Sequence, residues 1–458
     1  MNINLRKIKE WIDCDIQDEY LDVVVQGTCI DSRKIAESNL FIPFKGENVD
    51  GHKFVRQTLD DGAGASFWQK DVPNPPEGPI IFVDNTLAAL QNLAKAYLKY
   101  VNPKVVAITG SNGKTTTKDM VECVLNKSFK VKKTQGNYNN EIGCPLTILD
   151  LNEDTEVSIL EMGMSGFGEI SELTHLAEPD VAIITNIGES HMQDLGSREG
   201  IAKAKFEITE GLKENGLFIY DGDEPLLKPF VSKLQHDKLS VGIANDNDVI
   251  IKTNQSSSHG INFHLNNSHF IYHLNNSHFI YHLNILGEHN VKNATYAIQV
   301  AKHLGVTEDI IQSSLDDLVL TDMRMQRIET EQYGLLINDA YNASPTSMKA
   351  AIDTLHNMEQ TDKTLILADV LELGEMSREM HEQVGYYLEH KAIQTLITYG
   401  EEAAHISNIA KAYITETYHF EDKEEITDYL KNQLNEDSIT LFKGSRGMSL
   451  ETIINALT

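Results

Sequence analysis

The sequence has few cysteines and no long apolar run. Its 458 residues include four cysteines, at positions 14, 29, 123 and 144, and none of them forms a Cys-x-x-Cys pair. This spacing argues against a disulfide framework and against a structural zinc site, so we interpret them as reduced packing thiols. No stretch approaches the roughly 20 apolar residues of a membrane-spanning helix, which predicts a soluble protein without stable membrane association.

Basic residues are scarce relative to acidic ones. The sequence has 39 lysines and arginines against 68 aspartates and glutamates, which gives a formal net charge of -29. Coulomb repulsion therefore argues against a nucleic-acid partner. Charged residues also interrupt the first ten positions, where a secretory signal would have its apolar core, so we expect a cytoplasmic protein.

The length and the residue pattern predict an α/β protein of roughly three domains. Residues 1–102 mix short apolar runs with Gly, Asp and Pro, include a strand at 80–83 and a helix at 87–100, and indicate a small α/β domain. From 103 to 321 the order strand, Gly-rich turn, helix indicates a mostly parallel sheet. The alternation restarts in 322–458 and predicts a second parallel sheet. The buried strands expected in the last two segments are 105–108, 157–160, 181–184, 335–337, 364–367, 396–398 and 439–442.

One segment of the chain is duplicated. Residues 265–273 recur letter for letter at 274–282. Alternating residues around Asn-Asn are typical of strand, turn and strand, so a duplicated hairpin arm is the first interpretation. The histidines of the two copies leave a metal-binding cluster as the alternative, and we favour the hairpin.

A Gly-rich turn at 109–116 joins a predicted strand to a predicted helix. In such a turn backbone N–H groups and the helix dipole face phosphate oxygens, a lysine adds a point charge and a threonine can bind Mg²⁺. Ile108 stands where the motif Gly-x-x-x-x-Gly-Lys-Ser/Thr has its first glycine, so a chance Gly-Lys-Thr is the alternative. The flanking strand and helix favour an ATP or GTP site. Its expected residues are Gly110, Ser111, Asn112, Gly113, Lys114, Thr115 and Thr116.

Two further residues are candidate metal ligands. Phosphoryl transfer needs a divalent cation, and its ligands should follow neighbouring strands of the sheet. Glu161 ends the predicted strand 157–160, and His191 lies a short turn after the strand 181–184. The alternatives are a glutamate on a solvated helix face and a packed or surface histidine.

With these residues and several further motifs, the chain resembles the Mur ligase family over essentially its whole length. The motifs in chain order are 109–116, 135–140 (Gln-Gly-Asn-Tyr-Asn-Asn), 161–163 (Glu-Met-Gly), 186–188 with His191, 287–290 (Gly-Glu-His-Asn), 339–345, 369–374 and 443–447. The chain departs from the family at Ala368, where a glycine is usual, and in the duplication at 265–282.

The resemblance implies an architecture and a reaction. The three segments would be a UDP-sugar-binding domain at 1–102, a central P-loop ATPase domain at 103–321 and a Rossmann-like carboxyl-terminal domain at 322–458 that closes over both. Within the family, the chain is similar to the ligases that use ATP to join D-alanyl-D-alanine to UDP-MurNAc-tripeptide through an acyl phosphate. The products would be UDP-MurNAc-pentapeptide, ADP and phosphate, in peptidoglycan precursor synthesis.

The resemblance also implies roles for single residues. Lys114 would hold the β and γ phosphates, Thr115 and Glu161 one Mg²⁺, and His191 a second Mg²⁺. Lys205 would be the carbamylated lysine of the family, provided that burial or neighbouring cations lower its pKa. The expected ATP contacts are Asn290, Arg324 and Asp339, and the expected UDP-sugar and peptide contacts are Ser32, Arg33, Lys45, Gly46, Asn137 and Asn139.

Simpler roles for these residues remain open at this point. Lys205 could be a solvated helix lysine, Asp339 a turn former, and Ser32 a loop cap. There are two rival functions. One is a folylpolyglutamate synthetase, which uses a different acceptor substrate, and the other is a switch or scaffold that hydrolyses ATP without ligating anything. We expect a monomer, but no sequence motif decides the oligomeric state or whether the tripeptide ends in lysine or diaminopimelate.

Overall fold

The chain contains four β-sheets, two in the amino-terminal domain and one in each of the other two, among the residues that the structure describes. The computed structural model describes residues 1–46, 49–257, 260–267 and 279–458. The predicted fold class, three α/β domains with a mostly parallel central sheet, is confirmed. No helix of the described residues is long and apolar enough to cross a membrane.

The amino-terminal domain contains a two-stranded sheet and a five-stranded sheet. The strands are β1 (Asn2–Asn4), β2 (Asp15–Ile16), β3 (Val24–Gln26), β4 (Thr28–Cys29), β5 (Leu40–Phe41), β6 (Ala65–Gln69) and β7 (Ile80–Val83), and the helices are α1 (Leu5–Trp11), α2 (Val55–Asp60) and α3 (Thr86–Val101). The larger sheet has the order β2-β7-β6-β5-β4, parallel except for β2. The predicted strand at 80–83 and helix at 87–100 are therefore confirmed.

The central domain contains a nine-stranded sheet. Its strands are β8 (Lys104–Thr109), β9 (Val131–Lys133), β10 (Val157–Glu161), β11 (Val181–Ile184), β12 (Leu217–Asp221), β13 (Asp237–Gly242), β14 (Val249–Ser257), β15 (Gly260–Asn267) and β16 (Ile280–Leu283). Its helices are α4 (Lys114–Leu125), α5 (Gly143–Leu149), α6 (Glu169–Ala177), α7 (Met192–Leu195), α8 (Arg198–Phe206), α9 (Lys228–Val231), α10 (His289–His303) and α11 (Glu308–Leu315). The order is β16-β15-β14-β13-β12-β11-β8-β10-β9, and only β15 and β16 pair antiparallel with their neighbours.

The carboxyl-terminal domain contains a six-stranded sheet. Its strands are β17 (Gln326–Thr330), β18 (Gly334–Asn338), β19 (Lys363–Ala368), β20 (Thr395–Tyr399), β21 (Glu416–Phe420) and β22 (Ile439–Lys443), and its helices are α12 (Pro345–His356), α13 (Ser377–Tyr387), α14 (Ala404–Ala410), α15 (Lys423–Gln433) and α16 (Glu451–Asn455). The order is β17-β18-β22-β19-β20-β21, parallel except for β17. The predicted second parallel sheet and the strands expected from the apolar runs are confirmed.

The duplicated segment lies partly outside the described residues. β15 and β16 enclose it and pair antiparallel, with Ile261 opposite Leu283 and Phe263 opposite Tyr281. Asn266 and Asn267 of the first copy lie within β15 and pair with β14, so the turn predicted at this Asn-Asn is wrong. The rest of the predicted hairpin arm, at residues 268–278, falls outside the described chain. Among the residues that the structure describes, no group of three or more His, Cys, Asp or Glu side chains could hold a metal ion.

Buried strands of the central sheet divide two hydrophobic cores. Along β8, Val105 and Ala107 point into one core, while Val106 and Ile108 point into the other, because side chains alternate across a strand. Helices α4, α10 and α11 cover one face, and α5, α6 and α8 cover the other together with α3 of the amino-terminal domain. Because β8, β10 and β11 run parallel, their carboxyl ends lie at the same edge of the sheet. Ligands bind at this edge in open parallel sheets.

Candidate active site

The Gly-rich turn lies between β8 and α4 at this edge. The backbone N–H of Ser111 donates to the carbonyl of Asn186 (3.1 Å), and that of Asn112 donates to its side-chain oxygen (2.8 Å). Asn186 follows β11, so these two hydrogen bonds fix the turn to the end of a neighbouring strand. No side chain caps the first turn of α4. Its free amides and the positive end of the helix dipole make an anion-binding surface.

Two glycines of the turn have conformations and neighbours that exclude a side chain. Gly110 has a φ of +152°, and a Cβ there would lie 1.8 Å from the hydroxyl oxygen of Thr185. Gly113 has a φ of +80°, and its Cβ would lie 2.6 Å from the amide oxygen of Asn293. Both positions therefore require glycine, even though the first glycine of the usual motif is replaced by Ile108.

Lys114 curls back over the turn. Its Nζ donates to the carbonyl of Gly110 at 2.8 Å. Burial lowers the pKa of Lys114, while the charge of Glu161 acts in the opposite direction. A partly buried cation beside the free amides of α4 is suited to a polyphosphate, whose negative charge would compensate the cost of burial.

Three buried polar atoms near this surface lack a hydrogen-bond partner within the described chain. They are Ser111 Oγ, Asn112 Nδ2 and Arg324 Nε, and all three residues line the same cavity. Buried polar atoms are almost always paired in native proteins. The unpaired atoms therefore support a polar ligand at this place.

Glu161 ends β10 as a buried carboxylate, so the alternative of a solvated helix glutamate is wrong. Its Oε2 accepts from the hydroxyl of Thr115 at 3.0 Å, and its Oε1 accepts from Nδ2 of Asn139 at 3.1 Å. The ammonium of Lys118 lies 3.4 Å from Oε2, with both side chains almost fully buried. Thr115 and Glu161 thus present two hard oxygen ligands side by side, beside the phosphate-binding turn.

This pair of oxygens fits a Mg²⁺ ion that is shared with a nucleotide. Mg²⁺ is usually bound by one or two carboxylates together with substrate phosphates and water, rather than by a complete protein cage. The described residues offer no cluster of three or more acidic, histidine or cysteine ligands. The donor set therefore matches a cation that enters with its phosphates.

His191 lies in the loop after β11 and precedes α7. Its backbone is left-handed, with φ of +62°, and its Nδ1 lies 3.4 Å from a carboxylate oxygen of Glu372. Burial and the charge of Lys205 lower the pKa of His191, whereas Glu372 acts to raise it. A depressed pKa keeps the imidazole neutral at pH 7, as a metal ligand must be.

Lys205 projects from α8 into the same cavity and is fully buried, so the alternative of a solvated helix lysine is wrong. Its ammonium has no hydrogen bond or ion pair to the described part of the chain. Burial, with a smaller contribution from Lys114, holds the pKa of Lys205 well below its ordinary value. The unprotonated amine that carbamylation requires is thereby favoured.

The carboxyl-terminal domain contributes a second cluster of charges. The guanidinium of Arg324 donates to the hydroxyl of Thr115 at 3.3 Å and stacks on the ring of Tyr341, 4.3 Å from its centroid. Asp339 follows β18, and its Oδ2 accepts from the ammonium of Lys443 at 2.6 Å. Residues of two domains therefore meet directly at the phosphate-binding turn.

Most of the residues predicted from the sequence line one cavity of about 1000 Å³. Those are Ser111, Asn112, Gly113, Lys114, Thr115, Thr116, Asn137, Asn139, Glu161, His191, Lys205, Asn290, Arg324 and Asp339. Gly110 lies immediately before them in the turn. The cavity combines cationic, amide and carboxylate groups from the central and carboxyl-terminal domains, as a nucleotide with a second anionic substrate requires.

Four predicted residues do not reach this cavity and lie in the amino-terminal domain. Ser32 and Arg33 belong to one short helical turn, where Arg33 pairs with Asp31 at 2.8 Å on the surface. This pairing lowers the pKa of Asp31 to about 2. Lys45 pairs with Asp71 at 3.0 Å, and Gly46 follows it. A ligand at these residues would have to extend from the cavity across the domain boundary.

Sequence reasoning missed several groups of the site. Lys118 was not predicted, because a lysine one turn into a helix belongs to no motif. Its i, i+4 spacing from Lys114 nevertheless places both lysines on one face of the helix. Asn293 lies three residues after Asn290, on the same face of α10, and its amide donates to Asn290 at 3.1 Å. Lys443 belongs to a quoted motif, but only the fold places it against Asp339.

The comparisons with known proteins agree with this geometry. Three family models match the chain: "Mur ligase family, catalytic domain" at residues 24–98, "Mur ligase middle domain" at 108–301, and "Mur ligase, glutamate ligase domain" at 323–446. The UDP-N-acetylmuramoyl-tripeptide--D-alanyl-D-alanine ligase of Bacillus subtilis is 45% identical over 446 residues, which cover 96% of this chain and 94% of that protein. The chain belongs to the Mur ligase family.

Solved structures of other Mur ligases have the same three-domain fold. A crystal structure of MurF from Acinetobacter baumannii matches with a TM-score of 0.87 and 28% identity, and covers 100% of this chain and 99% of that one. A MurF ligase of Thermotoga maritima in complex with ADP matches with a TM-score of 0.82 and 28% identity, over 94% and 97% of the two chains. In this Mur ligase, the cavity lies between the parts matched by the middle-domain and glutamate-ligase models.

Proposed function

We propose that this Mur ligase uses ATP to join D-alanyl-D-alanine to the terminal carboxylate of UDP-MurNAc-tripeptide. The observation on which the proposal rests is the single cavity in which the turn of the central domain meets Arg324, Asp339 and Lys443 of the carboxyl-terminal domain. The names of the relatives that match nearly the whole chain support the choice of substrates. The products are UDP-MurNAc-pentapeptide, ADP and phosphate.

The chain's own residues solve a chemical problem of the substrate. A carboxylate is a poor electrophile, and its oxygen is a poor leaving group, so it must become an acyl phosphate before an amine attacks. The amides of α4 and the ammonium of Lys114 bind the phosphates and neutralise the charge that accumulates between ATP and the carboxylate. Attack by the amine of D-alanyl-D-alanine forms the amide bond and releases phosphate.

The cation sites follow from the donors. Thr115 and Glu161 would hold one Mg²⁺ and His191 a second. When bound, the cations supply charge neutralisation between the phosphates and the carboxylate. We also propose that Lys205 is carbamylated, because its buried, unpaired amine has a strongly lowered pKa and the carbamate would convert it into an anion beside the cation site.

The remaining assignments follow the division of the chain. Residues 1–102 would bind the UDP-sugar through Ser32, Arg33, Lys45 and Gly46, while Asn137 and Asn139 would contact the muramoyl peptide. Within the ATP-binding domain at 103–321, Asn290 would contact the nucleotide. From 322–458, Arg324 and Asp339 would reach it across the boundary. We also propose that the protein acts as a monomer in the cytoplasm, where ATP and UDP-linked precursors are found.

The decisive experiment measures ADP release with each substrate omitted in turn. We expect ADP only when UDP-MurNAc-tripeptide and D-alanyl-D-alanine are both present, with one amide bond formed for each ADP. Equal ATP turnover without the dipeptide would favour the ATP-hydrolysing switch over a ligase. Replacing the dipeptide by glutamate tests the folylpolyglutamate type of acceptor, for which we expect no product.

A further inference from the structure

The contact between His191 and Glu372 crosses the boundary between two domains. Glu372 lies in the loop that follows β19 of the carboxyl-terminal domain, and one of its carboxylate oxygens lies 3.4 Å from Nδ1 of His191 in the central domain. No other ion pair or hydrogen bond is formed by the Glu372 side chain with the described residues. The carboxylate is therefore directed at this one imidazole.

Both residues hold an unfavourable backbone conformation. The φ angles of His191 and Glu372 are +62° and +65°, in the left-handed region that glycine and asparagine favour. Such a conformation is unfavourable in a non-glycine residue and persists where the surroundings enforce it, most often at functional sites. Two such residues face each other here, one from each domain.

The rest of the loop is seated against the same element. A Cβ at Gly374 would lie 3.5 Å from the side chain of Gln193, and Met192 packs against the core of the carboxyl-terminal domain. Gln193 and Met192 belong to α7, which begins directly after His191. The contact at His191 therefore depends on how the carboxyl-terminal domain is docked.

Stability does not account for this arrangement. The side chain of Glu372 is 68% exposed, and an exposed ion pair contributes little to folding. Strain at two positions would cost more than such a pair returns. A role at the site explains why the geometry is held.

We infer that Glu372 is a positioning residue for His191 and completes the second cation site only when the carboxyl-terminal domain is docked. A carboxylate 3.4 Å from Nδ1 favours the tautomer that has its hydrogen on Nδ1, which leaves the lone pair of Nε2 free for a metal. The second ring nitrogen of a metal-binding histidine is generally paired with a carboxylate, a backbone carbonyl or a water, and this partner orients the ring and increases its basicity. The inference rests on the proposed function, in which His191 binds the second Mg²⁺, and it couples that site to docking of the domain.

The test counts Mn²⁺ ions bound by the full chain in the presence of a non-hydrolysable ATP analogue and UDP-MurNAc-tripeptide. Electron paramagnetic resonance gives the free Mn²⁺, and electron spin echo modulation detects a coordinated imidazole nitrogen. We compare Glu372→Ala, Glu372→Gln, His191→Ala and the control Glu375→Gln, which removes the same charge from an exposed neighbouring position.

We expect two Mn²⁺ ions per wild-type chain. The ion that binds with lower affinity should show the electron spin echo modulation of an imidazole nitrogen. Glu372→Ala should lower the affinity for that ion about 10-fold to 100-fold, which is the range for outer-shell partners of metal ligands. Glu372→Gln, which keeps an acceptor oxygen, should lie between Ala and wild type, and His191→Ala should lose both the ion and the nitrogen signal. Glu375→Gln should match the wild type.

Several results would overturn the inference. The first is a Glu372→Ala variant that binds both ions with wild-type affinity. The second is an equal loss of affinity for both ions in this variant, because that result would indicate a general loss of docking. A wild-type chain that forms pentapeptide but binds one Mn²⁺ would refute the inference while the ligase function stands. A wild-type chain that binds two ions and forms no product would refute the ligase function alone.

Discussion

Lys205 shows how one residue can be unfavourable for folding and still be retained at a site. Its amine is buried without a partner in the described chain, and burial depresses its pKa. A buried amine of this kind costs free energy, because the folded protein cannot hydrate it. A carbamate would offset the cost by pairing the new anion with a cation.

Replacing Lys205 by methionine should therefore stabilise the protein and abolish ligation. In buffer free of carbon dioxide we expect a gain on the order of 1 kcal/mol at pH 7, because an uncompensated polar group is exchanged for an apolar one of similar length. This corresponds to an unfolding temperature about 2–4 °C higher for a domain of this size. Differential scanning calorimetry measures the shift, and the ADP assay measures activity.

The stabilising effect of Lys205→Met should depend on pH. Between the lowered pKa of Lys205 and its ordinary value of 10.5, the unfolded chain binds a proton that the folded chain does not, so the stability of the wild type rises with pH in that window. The advantage of Lys205→Met should accordingly be largest near pH 7 and shrink toward pH 10. Added bicarbonate should stabilise the wild type alone. A wild type indifferent to bicarbonate would contradict carbamylation.

At the scale of elements, the junction of β8 and α4 makes the phosphate-binding surface. The strand is buried on both faces and the helix begins without a side-chain cap, so the turn between them has free amides at a fixed place. The turn tolerates the loss of the usual first glycine, because Ile108 is part of the buried strand. Gly110 and Gly113 meet the steric requirement instead.

Gly110→Ala should disable this junction. The added methyl group collides with the Thr185 hydroxyl, which itself donates to the carbonyl of Asn112 at 2.6 Å. We expect a stability loss of more than about 1 kcal/mol and a fall in ADP affinity of at least about 10-fold, both from displacement of the turn. Calorimetric titration with Mg²⁺ and ADP measures the second effect.

The matched control is Gly305→Ala, which has a φ of +85° and open space around its Cβ. This variant should show a comparable strain cost of about 1 kcal/mol with wild-type ADP affinity. If Gly110→Ala also bound ADP normally, the turn would not be the phosphate site.

At the scale of the whole molecule, the carboxyl-terminal domain is docked onto the central one through polar contacts. The hydroxyl of Thr346, in the first turn of α12, donates to the carboxylate of Glu189 at 2.8 Å, and that of Ser344 donates to the amide oxygen of Asn112 at 3.1 Å. Asn112 belongs to the phosphate-binding turn, so docking and nucleotide binding share a residue. Substrate binding should therefore favour the docked arrangement.

Thr346→Val should weaken docking without disturbing either domain. Loss of one hydrogen bond of about 0.5–1.5 kcal/mol should lower kcat/KM about 2-fold to 10-fold. Small-angle X-ray scattering should show a larger radius of gyration in the presence of nucleotide than for the wild type. Thr452→Val removes an exposed hydroxyl that bonds only within the same domain, to Ser449, and should change neither measurement. Wild-type kinetics and scattering for Thr346→Val would argue against a role for this contact.

Apolar runs were sufficient to predict the central strands of the two larger sheets, but not β9, β12 or β13. The strands at β8, β10, β11, β19 and β22 are continuous buried runs, as parallel strands covered on both faces must be. β17 was not predicted, because its residues are half-exposed and antiparallel pairing at a sheet edge leaves no such pattern. Part of the duplicated segment lies outside the described residues, so its full arrangement stays a prediction.

The sequence by itself determined the local chemistry of this protein: a phosphate-binding turn after a buried strand, a carboxylate at the end of the next strand, and the family motifs. These depend on backbone conformation and on residue spacing, which neighbouring residues decide. Tertiary structure alone decided that Lys118 pairs with Glu161, that Lys205 is buried without a partner among the described residues, and that Glu372 lies close to His191. Each of these depends on burial or on contact between elements far apart in the chain, which residue spacing does not encode.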